Sequence, residues 1–377
     1  MVETYNPEIV STFLNGAATE AFLMVKLMGQ VVAILFAGIF LWRVSAIFNK
    51  KRQNRHESVF TSSRFQQHWR RAGYIVTIYE RRSDIRKAEI SAGKSINLAL
   101  SERGWTALAG VGIVDAVKEL AIPMTGRIMH DLDGEMTYQP YGSEGQAINS
   151  VSRGGLNAKM MDIAEDAGKA KIHYNKQCIG ADLEAGIVHL KDSLTGEEMQ
   201  AQADVVFACD GAFSAVRYEA MQKSDRFNYS QEFIQDGYKE LLLPANEDGS
   251  YKLDKNALHI WPRGRFMLIA LANEDGSFTC TLFMPFEGEK SFETLKTDAD
   301  VEAFFQSTFP DFYEMCPDLL DSWHDHPLSS LSIVRCYPWT VGKFALMGDA
   351  AHGTVPFYGQ GMNGGFEDCT VMAKLMK

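Results

Sequence analysis

The chain has 377 residues, enough for two domains of ordinary size, and its 46% hydrophobic and 23% charged content suits a packed core rather than a disordered chain. A formal net charge of −11 excludes a general nucleic-acid binder, which needs a basic surface. The six cysteines (Cys178, Cys209, Cys280, Cys316, Cys336 and Cys369) form no CxxC pair and no zinc-ligand spacing, so they read as reduced, mostly buried thiols facing the cytosol, with no metal site.

Residues 27–42 (LMGQVVAILFAGIFLW) carry no charge, and Lys26 and Arg43 bracket them. Long basic side chains at such ends can snorkel, and with them the stretch reaches the low end of the roughly 17–25 residues that span a bilayer. The run predicts an N-terminal transmembrane helix over 26–44, with a buried soluble helix as the alternative. Lys50, Lys51, Arg52, Arg55 and Arg64 follow, which favours the cytosolic side for everything downstream. Residues 1–70 therefore read as a membrane segment with a basic linker.

The texture then changes. Residues 74–79 (YIVTIY) predict a buried strand ended by Glu80, Arg81 and Arg82. Apolar positions at helical spacing predict helices over 101–121 and 153–167. Residues 203–209 (ADVVFAC) predict a second buried strand, completing the first part of an α/β domain over 71–225. From 226 to 335 the pattern is β-rich: 256–261, 266–271 and 277–283 read as strands joined by short turns, a meander that predicts a separate antiparallel sheet. Residues 300–322 read as helical. A strand at 344–347, a glycine-rich loop and a helix starting near Met362 return the chain to the first domain over 336–377.

Three segments carry chemistry. Glu80, at the end of the second strand of a dinucleotide fold, is placed to accept hydrogen bonds from ribose hydroxyls, although charged residues end many strands. Asp210-Gly211, with Ser214 and Arg217 after it, ends the second strand; alone the pair is a turn, but the DGxxSxxR pattern is rarer. Gly348-Asp349-Ala350-Ala351-His352, followed by Pro356-Phe357-Tyr358-Gly359-Gln360-Gly361-Met362-Asn363, combines small residues, a carboxylate for a polyol and a helix start whose amides stabilise negative charge. His352 reads as a capping or packing residue rather than a general base.

These strings resemble those of flavin-dependent aromatic hydroxylases. Within that group, residues 95–101 (SINLALS), Gly126-Arg127, 139–142 (QPYG), 237–241 (GYKEL) and 256–262 (NALHIWP) resemble the kynurenine 3-monooxygenase family, over a match from about Arg71 to the last residue. The resemblance implies a Rossmann-like FAD-binding domain with an inserted antiparallel β-sheet substrate domain. It implies FAD and NADPH as cofactors and O2 and L-kynurenine as small-molecule substrates, with 3-hydroxy-L-kynurenine as product. It also implies a place at the mitochondrial outer membrane in the kynurenine pathway of tryptophan catabolism. Arg127 matches the arginine that binds the substrate carboxylate, where a guanidinium fork suits a bidentate partner, and Tyr141 matches the tyrosine that adds a second hydrogen bond. Pro356, Phe357 and Tyr358 match the loop beside the reacting ring. The cofactor matches are Tyr79, Glu80, Arg81, Arg82, Ala99, Arg153, Cys178, Asp210, Gly211, Gly348, Asp349, Gly361, Met362 and Asn363.

Two departures stand out. The family opens with a strand, GxGxxG and a helix that cradles the FAD pyrophosphate, whereas residues 1–70 hold only Gly16, Gly29 and Gly38, so the first strand and glycine loop are expected to be missing. The chain also stops at Lys377, inside the helix after the Asn363 loop, where the family continues. The alternatives are a membrane-anchored inactive fragment that does not retain FAD, and a hydroxylase of another small aromatic acid.

Overall fold

The computed structural model describes residues 44–50, 74–87, 97–143, 145–166 and 170–375. In chain order, β1 (Val44–Lys50) and β2 (Tyr74–Glu80) lead to β3 (Asn97–Leu100), helices α1 (Glu102–Val111) and α2 (Val114–Lys118), and strands β4 (Ala121–Met124), β5 (Gly126–His130), β6 (Met136–Pro140) and β7 (Ile148–Ser152). Helix α3 (Arg153–Asp166) precedes β8 (Ala170–His173), β9 (Lys176–Asp182), β10 (Ile187–Asp192), β11 (Glu198–Gln202) and β12 (Val205–Cys209). Next come β13 (Asn228–Leu243), β14 (Ala257–Arg263), β15 (Phe266–Ala272) and β16 (Phe278–Pro285), helices α4 (Asp298–Thr308), α5 (Pro310–Met315) and α6 (Leu319–Asp325), and β17 (Ser329–Tyr337). β18 (Thr340–Val341), β19 (Phe344–Leu346), α7 (Asp349–His352) and α8 (Gly361–Leu375) complete the described chain.

The first sheet has the order β18-β19-β12-β1-β2-β8. Side chains alternate across β12. Phe207 and Cys209 join the core beneath α1, α3 and α8, while Val206 and Ala208 join a second core with Val188, Leu190 and Phe344. β2 and β8 pair in parallel, as do β12 and β19. The central slot does not follow that rule. β1 runs antiparallel to both neighbours, with Val44 opposite Glu80 on one side and Cys209 on the other.

This corrects the expectation of a missing first strand: the slot is filled, but by a strand of reversed polarity. The chain enters β1 at the edge where β2 and β12 end, and leaves at Lys50, opposite Tyr74. No loop can follow β1 at the cofactor edge, because its carboxyl end lies at the far one. Val44, the last residue of the predicted membrane helix, is in this strand; residues 26–43 of that helix and the basic linker at 51–70 lie outside the described residues. Among the described residues no helix is long and apolar enough to cross a membrane.

The second sheet, ordered β17-β13-β16-β15-β14-β5-β6, is antiparallel except for the β14–β5 pair. Its strands β5 and β6 come from outside residues 226–335, so the 126–140 segment builds the substrate-side sheet as well. Helices α4 to α6 bury Phe305, Phe309 and Phe312 against it, each contributing roughly 1.5–3 kcal/mol from burial. Predicted helix 300–322 is three short helices, and Pro310, which lacks an amide, opens the second of them at α5. Predicted helix 101–121 likewise breaks at Gly112, whose left-handed φ of 74° caps α1 by accepting no side-chain strain. A buried polar cluster joins a separate three-stranded sheet, ordered β3-β7-β4, to the second sheet: Asn97 Nδ2 donates to Ala272 O at 3.0 Å and to Asn273 Oδ1 at 2.7 Å.

Candidate active site

The carboxyl edge of the first sheet gathers one group of predicted residues. Glu80 ends β2 fully buried, with Oε1 accepting the Arg82 amide at 2.7 Å and Oε2 without a donor among the described residues. Burial pushes its carboxyl up to about 7, against the opposing Arg82 amide and the Arg82 and Arg81 charges. Tyr79 stacks on His173 at 5.3 Å. Tyr79, Arg81, Cys178 and Asp210 line one cleft of about 220 Å³ with Gln177, Phe213 and Ala215. Asp210 Oδ2 accepts the Ala215 amide at 2.7 Å, while Gly211 adopts a left-handed φ of 81° that lets the turn begin. Arg217 of the same motif is fully buried. Its guanidinium donates to Ala350 O at 2.6 Å and to Ala212 O, and it lies over the Tyr229 ring at 4.8 Å. It therefore fastens the 210–217 turn to α7 rather than facing a ligand.

The glycine-rich string forms a second group. Asn363 is fully buried and donates through Nδ2 to Ala99 O at 2.8 Å and Gly359 O at 3.0 Å, while its Oδ1 accepts the Ser101 amide at 2.9 Å. One side chain thus ties β3, the 359 loop and the start of α8, with Gly361 opening that helix and Met362 buried beneath it. Gly359 has a φ of 60°, and a Cβ there would sit 3.1 Å from the Ala99 Cβ, so only glycine fits without strain. Gly348 and Asp349 begin α7, and Asp368 reaches across from α8 to accept the Gly348 amide at 2.8 Å and meet His352 Nε2 at 2.7 Å. His352 is thus paired with Asp368. Arg153 opens α3 beside β7, which pairs with β3.

A third group lies on the second sheet. Arg127 is exposed on β5 and its Nε donates to Gln139 Oε1 at 2.9 Å, directly across on β6. Tyr141 follows β6, and burial pushes its phenol up to about 12 despite the nearby Arg127 charge, so it remains a hydrogen-bond donor. The Pro356–Tyr358 turn touches this sheet: the Phe357 ring meets Phe283 edge-on at 5.3 Å. Tyr358 stands 88% exposed, so the wall expected of it is not formed by contacts among the described residues.

Sequence reading missed Asp368, Gln177 and Phe213. Asp368 lies two turns beyond Gly361, where a helix returns the same face, and that spacing was the available signal. Among the described residues there is no cluster able to hold a metal ion.

The donor set suits a flavin dinucleotide at both ends. The orphan Glu80 oxygen suits a ribose hydroxyl, and the Ala99–Gly359–Asn363 cradle leaves backbone and small side chains around a flat ring. No glycine loop for the pyrophosphate occurs among the described residues.

Residues 70–377 match the FAD binding domain family. The chain is 53% identical over 309 residues to kynurenine 3-monooxygenase of Flavobacterium johnsoniae, covering 82% of this chain and 68% of the relative. It is 47% identical to that of Myxococcus xanthus, covering 81% and 66%. Among solved structures, 2-methyl-3-hydroxypyridine-5-carboxylic acid oxygenase matches with a TM-score of 0.64 at 19% identity, over 92% of this chain and 80% of that one. Klebsiella pneumoniae HpxO complexed with FAD and uric acid matches with a TM-score of 0.59 at 19% identity, over 79% and 72%. These structural likenesses concern the fold.

Proposed function

The chain belongs to the kynurenine 3-monooxygenase family, and from that premise we propose that it is an FAD-dependent monooxygenase converting L-kynurenine to 3-hydroxy-L-kynurenine with NADPH and O2. The observation that favours the substrate assignment is the nearness of the Arg127 charge to the half-buried Tyr141 phenol at one end of the second sheet. A guanidinium fork beside a phenol donor suits an amino-acid carboxylate.

In this reading Glu80 would accept from the ribose, the Gly348–Asp349 turn would hold the ribityl chain, and Ala99, Gly361, Met362 and Asn363 would bed the ring. Bound flavin supplies the reducing equivalents that activate O2 for insertion of one oxygen atom into an aromatic ring. The chain's own work is positional. Arg127 and Tyr141 fix one end of the substrate, Phe357 against Phe283 walls the aromatic end, and the apolar contact excludes water. Pro356 would present its backbone carbonyl to the substrate ring. Residues 27–42 support a membrane-anchored protein whose catalytic part faces the cytosol, a placement that carbonate extraction of cell membranes tests.

The reversed β1 favours a second reading, in which the family fold persists without retaining FAD. A visible absorbance spectrum of the purified chain after incubation with FAD and gel filtration separates the two. Retained flavin supports the enzyme; a colourless protein supports the second reading.

A further inference from the structure

A buried chain of hydrogen bonds crosses the second sheet away from the flavin cradle. His130 on β5 and His259 on β14 are 2% and 1% exposed. His259 Nε2 lies 2.9 Å from the Asp254 carbonyl oxygen, His259 Nδ1 lies 2.9 Å from His130 Nε2, and His130 Nδ1 lies 3.0 Å from Asp311 Oδ2 on α5. Trp261 Nε1 also reaches Asp311 Oδ2, at 2.8 Å.

The proton count follows from which atoms can only donate or only accept. A carbonyl accepts, so His259 Nε2 bears a hydrogen. Against its burial, the hydrogen bonds from His130 and the Trp261 indole hold the Asp311 carboxyl below the usual carboxylate range, so Oδ2 accepts and His130 Nδ1 bears a hydrogen too. The contact between the rings needs one hydrogen more. Three N–H groups on two imidazoles is one more than two neutral rings possess. The pair therefore holds one positive charge. His130, facing the carboxylate and stacked on the Trp261 indole at 4.0 Å, is its seat. His259 is the neutral partner, consistent with burial pushing its ring down to about 4.

The other charged groups around His130 are few. Asp131 follows it on the chain, and Arg263 donates to the His130 carbonyl at 2.9 Å and to Thr308 O at 2.6 Å. Asp254 contributes only its carbonyl to the chain. The strand bolted in this way is the one that carries Arg127. Side chains alternate along β5, so His130 enters the core while Arg127 faces outward. Leu258 and His259 of β14 lie opposite Arg127 and Ile128 in the one parallel pairing of the sheet.

We propose that His130 is a positioning residue for Arg127: a single cation shared with His259 and held by Asp311 locks β5 against β14 and α5, and so sets where the substrate carboxylate is met. This rests on the proposed kynurenine reading for its effect on catalysis, but not for the charge itself.

Side-chain 15N spectra of the full chain, labelled at histidine and arginine, test it without ligand. One histidine should be doubly protonated at about pH 7, as the proton count requires. Replacing that ring, in H130Q, should shift the Arg127 Nε resonance. H259Q preserves one acceptor and one donor and should keep the doubly protonated ring, whereas H259L and D311N should lose it. D311N should also raise KM for L-kynurenine about tenfold with kcat little changed. Two neutral rings at about pH 7, or an Arg127 resonance indifferent to His130, would overturn the proposal. An intact cation coupled to Arg127 in a chain that does not bind L-kynurenine would support this inference and count against the substrate assignment instead.

Discussion

Asp368 and His352 are joined at 2.7 Å, and the same carboxylate oxygen also accepts the Gly348 amide at 2.8 Å. One acid on α8 therefore fixes both ends of α7, the short helix that begins with Asp349. Asp368→Ala leaves a buried amide and an imidazole without their acceptor, and should cost about 2–4 kcal/mol in urea denaturation. Burial alone would lower the His352 pKa, but the Asp368 hydrogen bond and charge raise it above the ordinary 6.5. That part of the stabilisation is complete below 6.5 and is lost as pH rises through the raised value, so the variant's deficit should be larger at about pH 6 than at about pH 9.

Asn363→Ala removes three hydrogen bonds at once and strands the Ala99 and Gly359 carbonyls and the Ser101 amide. A loss of about 2–4 kcal/mol is expected, with weakened flavin retention. Asn363→Asp should be no better, because a carboxylate cannot donate to the two carbonyls. Thermal melts of both variants, compared with flavin fluorescence after gel filtration, check this.

Glu80 makes stability and cofactor affinity depend on pH in opposite directions. With its carboxyl near 7 in the fold and near 4.5 unfolded, the folded state binds more protons in that window. Stability should therefore fall by up to about 3 kcal/mol as pH rises through it, and Glu80→Gln should abolish that slope. A ribose hydroxyl donates best to the ionised form, so FAD affinity should rise over the same range in the parent chain and stay flat in the variant. Urea titrations and FAD titrations at about pH 5 and about pH 8 measure the two effects.

Arg127 is exposed, so Arg127→Lys and Arg127→Ala should leave stability within about 0.5 kcal/mol. Their effect should lie in KM for L-kynurenine, raised about tenfold for lysine, which keeps the charge but loses the fork, and more for alanine. Steady-state kinetics under saturating NADPH give both parameters.

Much of this arrangement was legible in the sequence. The β-branched run at 74–80, the 205–209 strand and the 348–363 string each announce themselves locally, because strand burial and glycine-rich turns are encoded in neighbouring residues. The predicted 277–283 strand of the meander overlaps β16 (Phe278–Pro285), which is buried on both faces. What was not legible is non-local. Val44–Lys50 follows an uncharged run, and nothing in those seven residues states that they enter the first sheet backwards. Gly126–His130 joins a sheet built mainly from residues a hundred positions later, a pairing that local pattern does not announce. His130 and His259 are single histidines in separate strands, and only the register of β5 beside β14 makes them a pair.

The most direct test of the central claim is product analysis of the purified full chain incubated with FAD, NADPH, L-kynurenine and isotopically labelled O2. Kynurenine-dependent NADPH oxidation and 3-hydroxy-L-kynurenine carrying one labelled oxygen atom are expected. Retained flavin and NADPH oxidation without that product would contradict the substrate assignment, and failure to retain flavin at all would contradict the enzyme itself.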